Sequence, residues 1–198
     1  MGPFEVLAQY DEGVTAIATS TRDWESRHWH ERACGSWSAT DLAGHLVGVI
    51  GWYHHWLDAA ERGSSDPPFP AADLAAQNAK SLRELEDGTG PERVERFVAD
   101  ARRYATRLPD RWDLPYGYPY GTVTAGLHAG VAASEWHLHA WDLTGGKHRP
   151  SDPTTLFVAV GSAMTAAQGA VAGRVGRAIV PIAARRKPWD QLLRRSGR

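Results

Sequence analysis

A carboxylate and an imidazole stand four residues apart, at Glu135 and His139, inside an Ala- and Val-rich run that is typical of a helix. Residues four apart lie on the same face of a helix, so both side chains point the same way. Burying a carboxylate among apolar helices is costly unless a cation or hydrogen bonds compensate it. The chain must therefore fold so that another segment brings a partner to this face. Because a carboxylate and an imidazole can ligate one ion together, a metal is one such partner.

The remainder of the chain reads as further helices. Ser38 and Asp41 form a pair resembling a capping box at the start of the second helix, which ends at Gly63. No segment shows the alternation of a strand, so the sequence predicts an all-α, antiparallel bundle of four or more helices. The expected helices span residues 4–22, 38–62, 71–87, 91–108, 122–144 and 153–180.

The third ligand should come from a helix that faces Glu135 and His139. His45 is the best candidate, because it is the titratable side chain on the inner, apolar stripe of the second helix. Two imidazoles and one carboxylate match a catalytic zinc site with an open fourth position, although Ni²⁺, Fe²⁺ or Co²⁺ would also suit them. The alternative is that all three are ordinary buried polar groups that hydrogen bonds satisfy.

Other side chains give weaker indications of a functional role, and some of them can equally have a purely structural role. Asp142 lies three residues after His139, where it can orient that ligand or serve the helix end. Cys34 can be a nucleophile, a fourth ligand or a small buried hydrophobe. His54 and His55 are candidates for acid–base work. A set of mainly aromatic residues can either bind thiol and substrate or pack the core, namely Trp52, His55, Trp56, Tyr116, Tyr118 and Tyr120.

The composition narrows the class of protein. A net charge of −1 gives no global field for nucleic acid or an anionic membrane. A single cysteine fits a reducing cytoplasm, and we expect no signal peptide and a cytoplasmic location. The uncharged run 153–173 is rich in small residues and indicates a buried helix rather than a membrane span. The excess of Arg over Lys suggests a GC-rich, actinobacterial genome. The basic tail 174–198 can bind an anionic substrate or partner, or it can be a solvated face, which is the more usual case.

Four stretches of the chain carry a family resemblance: residues 34–47 (CGSWSATDLAGHLV), 114–123 (LPYGYPYGTV), 135–143 (EWHLHAWDL) and 192–198 (LLRRSGR). Together they resemble the mycothiol-dependent maleylpyruvate isomerase family, a branch of the DinB-like metalloproteins. The first stretch is similar to the N-terminal signature of that family, and the second to the loop before its fourth helix. The third is similar to its Glu-x-x-x-His-x-Trp-Asp-Leu motif, and the last to the usual ending of its members.

The resemblance implies a DinB-like four-helix bundle, here with an additional C-terminal helix. It places a divalent metal, commonly zinc, on His45, Glu135 and His139, and it implies mycothiol, the thiol of actinobacteria, as cosubstrate. We expect residues 1–150 to form the metal-binding bundle and residues 151–198 to pack on it as a helix and basic tail. Isomerases of the family carry a further C-terminal domain, for which residues 145–198 are too few. The chain therefore looks like a short member.

The resulting hypothesis is a mycothiol-dependent S-transferase, in which a metal-bound thiolate attacks an electrophilic small molecule. Its setting would be detoxification or the biosynthesis of sulfur-containing natural products. One alternative is a maleylpyruvate cis–trans isomerase that adds the same thiolate reversibly, and another is a non-catalytic metal-binding bundle, such as a sensor. The expected partners are mycothiol and the electrophile, without nucleic acid or membrane, and the sequence is compatible with an oligomer.

Overall fold

The computed structural model describes residues 2–85, 87–167 and 187–198. Within these ranges the chain forms α-helices and two short hairpins. The helices are α1 (Pro3–Thr21), α2 (Ala39–Glu61), α3 (Leu74–Glu84), α4 (Gly90–Arg107), α5 (Ala125–Leu143), α6 (Pro153–Ala167) and α7 (Pro188–Arg195). The strands are β1 (Arg32–Cys34), β2 (Trp37–Ser38), β3 (Pro115–Tyr118) and β4 (Gly121–Thr124).

Four of the helices, α1, α2, α4 and α5, make the bundle that the sequence predicts. Helix α1 packs along α5 and also against α4, while α2 packs along α4. Apolar side chains from each helix meet at Trp136 of α5, whose ring makes edge contacts with Tyr10 of α1 and Phe97 of α4. Helix α6 lies against α5 and α1, and α7 lies against α6. The prediction of an all-α bundle with an added C-terminal helix is confirmed.

The start of α2 is fixed by the predicted capping box. The Ser38 hydroxyl accepts a hydrogen bond from the Asp41 amide at 3.1 Å, and the Ser38 amide donates to the Asp41 carboxylate at 2.9 Å. Two amide groups that the first helical turn leaves without partners are satisfied in this way. Because the box sets the position of the first turn, it also sets which residues of α2 face the bundle, and His45 is one of them.

The prediction that the chain contains no strand is wrong. Strands β1 and β2 pair antiparallel, and β3 and β4 form a second antiparallel hairpin with Tyr118 opposite Gly121. Runs of two to four residues are too short to show an alternating pattern, and local turns decide their pairing. Because β4 continues to Thr124, the fifth helix begins at Ala125 rather than at residue 122.

The third helix differs from the sequence prediction at both ends. The segment from residue 71 opens with a short 3₁₀ turn, and α3 then runs only to Glu84. The last long helix was expected to reach residue 180. Its described part, α6, runs to Ala167, and residues 168–180 lie outside the described residues. Among the described helices, none is long and apolar enough to cross a membrane.

Candidate metal centre

Helices α2 and α5 bring the three expected ligands together. His45 Nε2 lies 3.5 Å from Glu135 Oε1, and His139 Nε2 lies 3.9 Å from the same oxygen. One ligand atom from each residue falls within 4.8 Å of the others. Ligand atoms around a tetrahedral zinc ion are about 3.4 Å apart, given bond lengths of ~2.1 Å. The donor set and its spacing therefore fit one divalent ion after small side-chain shifts, without deciding which ion.

Glu135 is held in place and kept ionised by its neighbours. Tyr53 of α2 donates a hydrogen bond to Glu135 Oε2. Burial alone would raise the pKa of Glu135, but hydrogen bonding and charge from His45, together with the charge of His139 and the Tyr53 bond, lower its pKa to about 2. The carboxylate is thus anionic at neutral pH, which is the state a metal ligand requires.

His139 is oriented by a carboxylate on its far side. Asp142 Oδ2 lies 3.0 Å from His139 Nδ1, and the Asp142 side chain is 3% exposed. Burial would raise the pKa of Asp142, but hydrogen bonds from Arg198 and His139 lower it. The anionic carboxylate accepts a hydrogen bond from Nδ1–H of His139, which leaves the lone pair of Nε2 directed towards Glu135. Of the two interpretations of Asp142, the geometry favours the one in which it orients His139.

His45 is buried beside an aromatic ring. Its side chain is 7% exposed, and its ring centroid lies 4.9 Å from that of Trp37 in β2 and 5.2 Å from that of His139. The imidazole of His139 has a pKa lowered mainly by burial. A neutral imidazole keeps a lone pair for a metal, so burial favours the ligand form of His139 over its protonated form.

A cavity of about 320 Å³ opens beside Glu135 and His139. Two residues of the expected substrate set, Tyr118 and Tyr120, line it from the second hairpin. Its other walls come mainly from apolar residues of α5, α6 and α7, and Arg195 and Arg198 are the cations among the lining residues that the structure describes. Another cavity, of about 450 Å³ near Trp24 and Trp29, contains none of the three clustered residues. The cavity at Glu135 is therefore the one suited to a reactant.

The structure places the other four residues of that set elsewhere. Tyr116 is fully buried, and its ring stacks on His128 with centroids 4.4 Å apart. Trp56 is buried and stacks on Trp52 at 5.9 Å, and neither is among the residues that line the cavity at Glu135. His55 is exposed on α2. Tyr118 and Tyr120 are thus the two members that border the cavity.

Two residues at the centre carried little sequence signal. Tyr53 shares the inner stripe of α2 with His45, which identifies it as a core residue but not as the hydrogen-bond donor to Glu135. Arg198 lies 56 residues after Asp142 and nevertheless binds its carboxylate. Cys34 of β1 lies near Arg198 and Asp142, and burial raises the pKa of the Cys34 thiol. Contacts between residues this far apart in sequence depend on tertiary packing.

Comparison with known protein families supports the resemblance. Residues 10–144 match the family model described as the mycothiol maleylpyruvate isomerase N-terminal domain. The chain belongs to this family. Membership confirms the resemblance and the DinB-like helical fold, and it connects the chain with mycothiol. No match was found to a curated protein or to a solved structure.

The region matched to the mycothiol maleylpyruvate isomerase family contains the three clustered residues and Asp142. It also contains the hairpin that carries Tyr118 and Tyr120. Helices α6 and α7 and the side chain of Arg198 lie beyond it, although they complete the cavity. The match therefore covers the segments that form the ligand cluster, whereas the part of the cavity formed by α6 and α7 lies outside the matched region.

Proposed function

We propose that this chain is a metal-dependent S-transferase that joins mycothiol to an electrophilic small molecule. The observation that carries the proposal is the convergence of His45, Glu135 and His139 beside a mainly apolar cavity, in a member of a mycothiol family. The two Nε2 atoms and Glu135 Oε1 would hold a divalent ion, for which zinc suits the donor set. When bound, such an ion favours the thiolate form of a thiol, which is the nucleophilic form.

The residues of the chain supply binding, orientation and a dry surrounding. Tyr53 and Asp142 hold two of the three ligands at fixed angles. Tyr118 and Tyr120 offer aromatic faces to the sugar part of mycothiol or to a planar substrate. The apolar walls from α5 and α6 exclude water from the reacting sulfur and carbon, which limits competing hydrolysis.

The reaction that this arrangement supports is a thiol substitution or addition. The thiol loses its proton, the sulfur forms a bond to the electrophilic carbon, and the leaving group departs with the bonding electron pair. With a conjugated acceptor, the electron pair moves into the conjugated system, which then takes up a proton. The net products are a mycothiol thioether and, in the substitution, the protonated leaving group.

Maleylpyruvate isomerisation is the second candidate, and the description of the matched family favours it. The same thiolate would add to the double bond, permit rotation and then be eliminated. The lining of the cavity suits this reaction less well. Maleylpyruvate carries two carboxylates, whereas Arg198 is already bound to Asp142, so Arg195 is the cation left to pair with them among the described lining residues, and the remaining described walls are mainly apolar. An apolar electrophile fits these walls better, because few groups in them would compensate two buried anionic charges.

The test is product formation by the purified, zinc-loaded protein. Mycothiol would be supplied with a panel of alkyl halides, epoxides and conjugated enones, and with maleylpyruvate, and products would be identified by mass spectrometry. We expect thioether formation that is lost in the variant His45→Ala/Glu135→Ala and retained in His30→Ala, an exposed histidine outside the cluster. Turnover of maleylpyruvate alone would favour the isomerase. Absence of turnover with zinc bound would favour a metal-binding protein without catalysis.

A further inference from the structure

The guanidinium of Arg198 lies on the opposite side of His139 from the ligand cluster. Its Nε donates to Asp142 Oδ1 at 2.8 Å, and its Nη2 donates to Asp142 Oδ2 at 2.5 Å. The two side chains are 13% and 3% exposed. A two-pronged contact of this kind fixes the plane of the carboxylate as well as its position. Asp142 is therefore not free to turn within its site.

The position of Asp142 decides which nitrogen of His139 carries the proton. Two groups approach Nδ1, namely Asp142 Oδ2 at 3.0 Å and Arg198 Nη2 at 3.4 Å. A guanidinium can only donate, so it would require an unprotonated Nδ1 and a protonated Nε2. The nearer carboxylate requires the reverse, and it is kept in place by the same guanidinium. Nδ1 therefore carries the proton, and the lone pair lies at Nε2, where Glu135 faces it.

A second group of candidate ligands shares His139 with the first. Cys34, His139 and Asp142 also have ligand atoms within 4.8 Å of one another. The Nη2 atom of Arg198 contacts all three, because it lies 3.7 Å from Cys34 Sγ as well as near Asp142 and His139. The guanidinium thus supplies the positive charge that a metal ion would otherwise bring to this group.

We propose that Arg198 is a positioning residue that occupies the Cys34–His139–Asp142 group as a fixed cation. It holds Asp142 against Nδ1 of His139, reserves Nε2 for an ion shared with His45 and Glu135, and keeps the centre to a single metal without a thiolate ligand from the protein. The inference rests on the proposed metal centre, but it does not depend on the S-transfer reaction.

A purely structural role for Arg198, as an anchor of the segment that follows α7, is a different hypothesis. Helix α7 already has apolar anchors, since Trp189 and Leu192 are 5% and 4% exposed. An anchor would influence the free energy of unfolding, whereas a positioning residue must also change how metal binds. Metal affinity and the type of ligand are therefore the measurements that separate the two roles.

The experiment is a Co²⁺ titration of the metal-free protein, followed by visible and near-ultraviolet absorption. The variants are Arg198→Ala and Arg198→Met, of which the second keeps much of the aliphatic stem and guards against simple loss of packing. Arg194→Ala, at an exposed arginine of the neighbouring helix α7, is the matched control. Cys34→Ser in the Arg198→Ala background tests the origin of any thiolate band. Thermal unfolding of each metal-free variant would establish that it is folded.

For the wild type and for Arg194→Ala we expect one equivalent of Co²⁺ and no thiolate-to-cobalt band. For both Arg198 variants we expect an affinity roughly 10- to 100-fold lower at the histidine site. We also expect a thiolate-to-cobalt band that disappears when Cys34 is replaced. Retention of wild-type affinity, or a spectrum without the thiolate band, overturns the proposal. If the wild type itself binds no Co²⁺, the metal centre fails and this inference with it, whereas failure of S-transfer alone leaves it standing.

Discussion

At the scale of single residues, each ligand of the candidate centre has its own support. Glu135 receives a hydrogen bond from Tyr53, His139 faces Asp142, and the ring of His45 packs beside Trp37. Such supports fix the direction of a ligand lone pair before a metal arrives, so less conformational entropy is lost on binding. Substitution of a supporting residue should therefore weaken metal binding, as substitution of a ligand does.

The first prediction concerns Tyr53. Tyr53→Phe removes the hydroxyl that binds Glu135 Oε2 but keeps the buried ring, so we expect zinc affinity to fall roughly 10- to 100-fold with little change in the fold. Competition with a chromophoric chelator would measure the affinity. Tyr104→Phe is the matched control, because Tyr104 is equally buried and its hydroxyl contacts Tyr116 and His128 at 3.4 Å. Equal affinities in the two variants would contradict the assigned role of Tyr53.

At the scale of elements, the site depends on how closely α1 and α5 approach. Gly13 of α1 packs against the α5 residues that immediately follow Glu135, and a Cβ placed at Gly13 would lie 2.8 Å from Trp136 Cβ. Real side chains do not tolerate such a distance, so any residue larger than glycine would push the helices apart. The small residue at this position thus keeps α5 seated in the bundle.

The second prediction compares two helical glycines. Gly51 of α2 is exposed, and a Cβ there would meet nothing within 4 Å, so Gly51→Ala should stabilise the protein by about 1 kcal/mol through helix propensity. Gly13→Ala gains the same propensity, but overpacking against Trp136 costs about 1–3 kcal/mol, so the net effect should be destabilising. Urea unfolding would measure both free energies. Two stabilised variants would show that the α1–α5 contact is looser than described.

At the scale of the whole molecule, the bundle buries ionisable groups that must stay neutral. His128 of α5 is fully buried among aromatic rings, and, among the residues that the structure describes, its Nε2 has no hydrogen-bond partner. Burial lowers the pKa of His128 from 6.5 to about 3. The unfolded chain therefore binds a proton that the folded protein excludes, which makes the stability of the entire fold depend on pH.

The third prediction gives the sign of this dependence. Because the folded pKa lies below the unfolded value, the contribution of His128 is fully favourable above pH 6.5 and is lost as the pH falls towards 3. When the pH is well below 3, the stability lost through His128 amounts to about 5 kcal/mol. His128→Phe should remove this loss. The free energy of unfolding of the variant, relative to that of the wild type, should therefore increase as the pH is lowered from 7.5 to 4.5. Parallel pH profiles for the two proteins would refute the prediction.

The sequence by itself determined the helical bundle, the capped start of α2 and the three candidate ligands. Helical spacing places Glu135 and His139 on one face, and the apolar stripe around His45 indicates where the partner helix lies. These are local properties of the chain, since they depend on residues a few positions apart.

Only the tertiary structure decided what surrounds those ligands. Tyr116 and Tyr118 share one face of β3, so which of them borders the cavity depends on their position along the strand relative to the helices: Tyr116 is fully buried, and Tyr118, next to the turn, lines the cavity. The contact of Arg198 with Asp142 joins residues 56 positions apart. Such a contact exists because α7 packs on α6 and α6 on α5, and no local pattern encodes a chain of packing steps of that length.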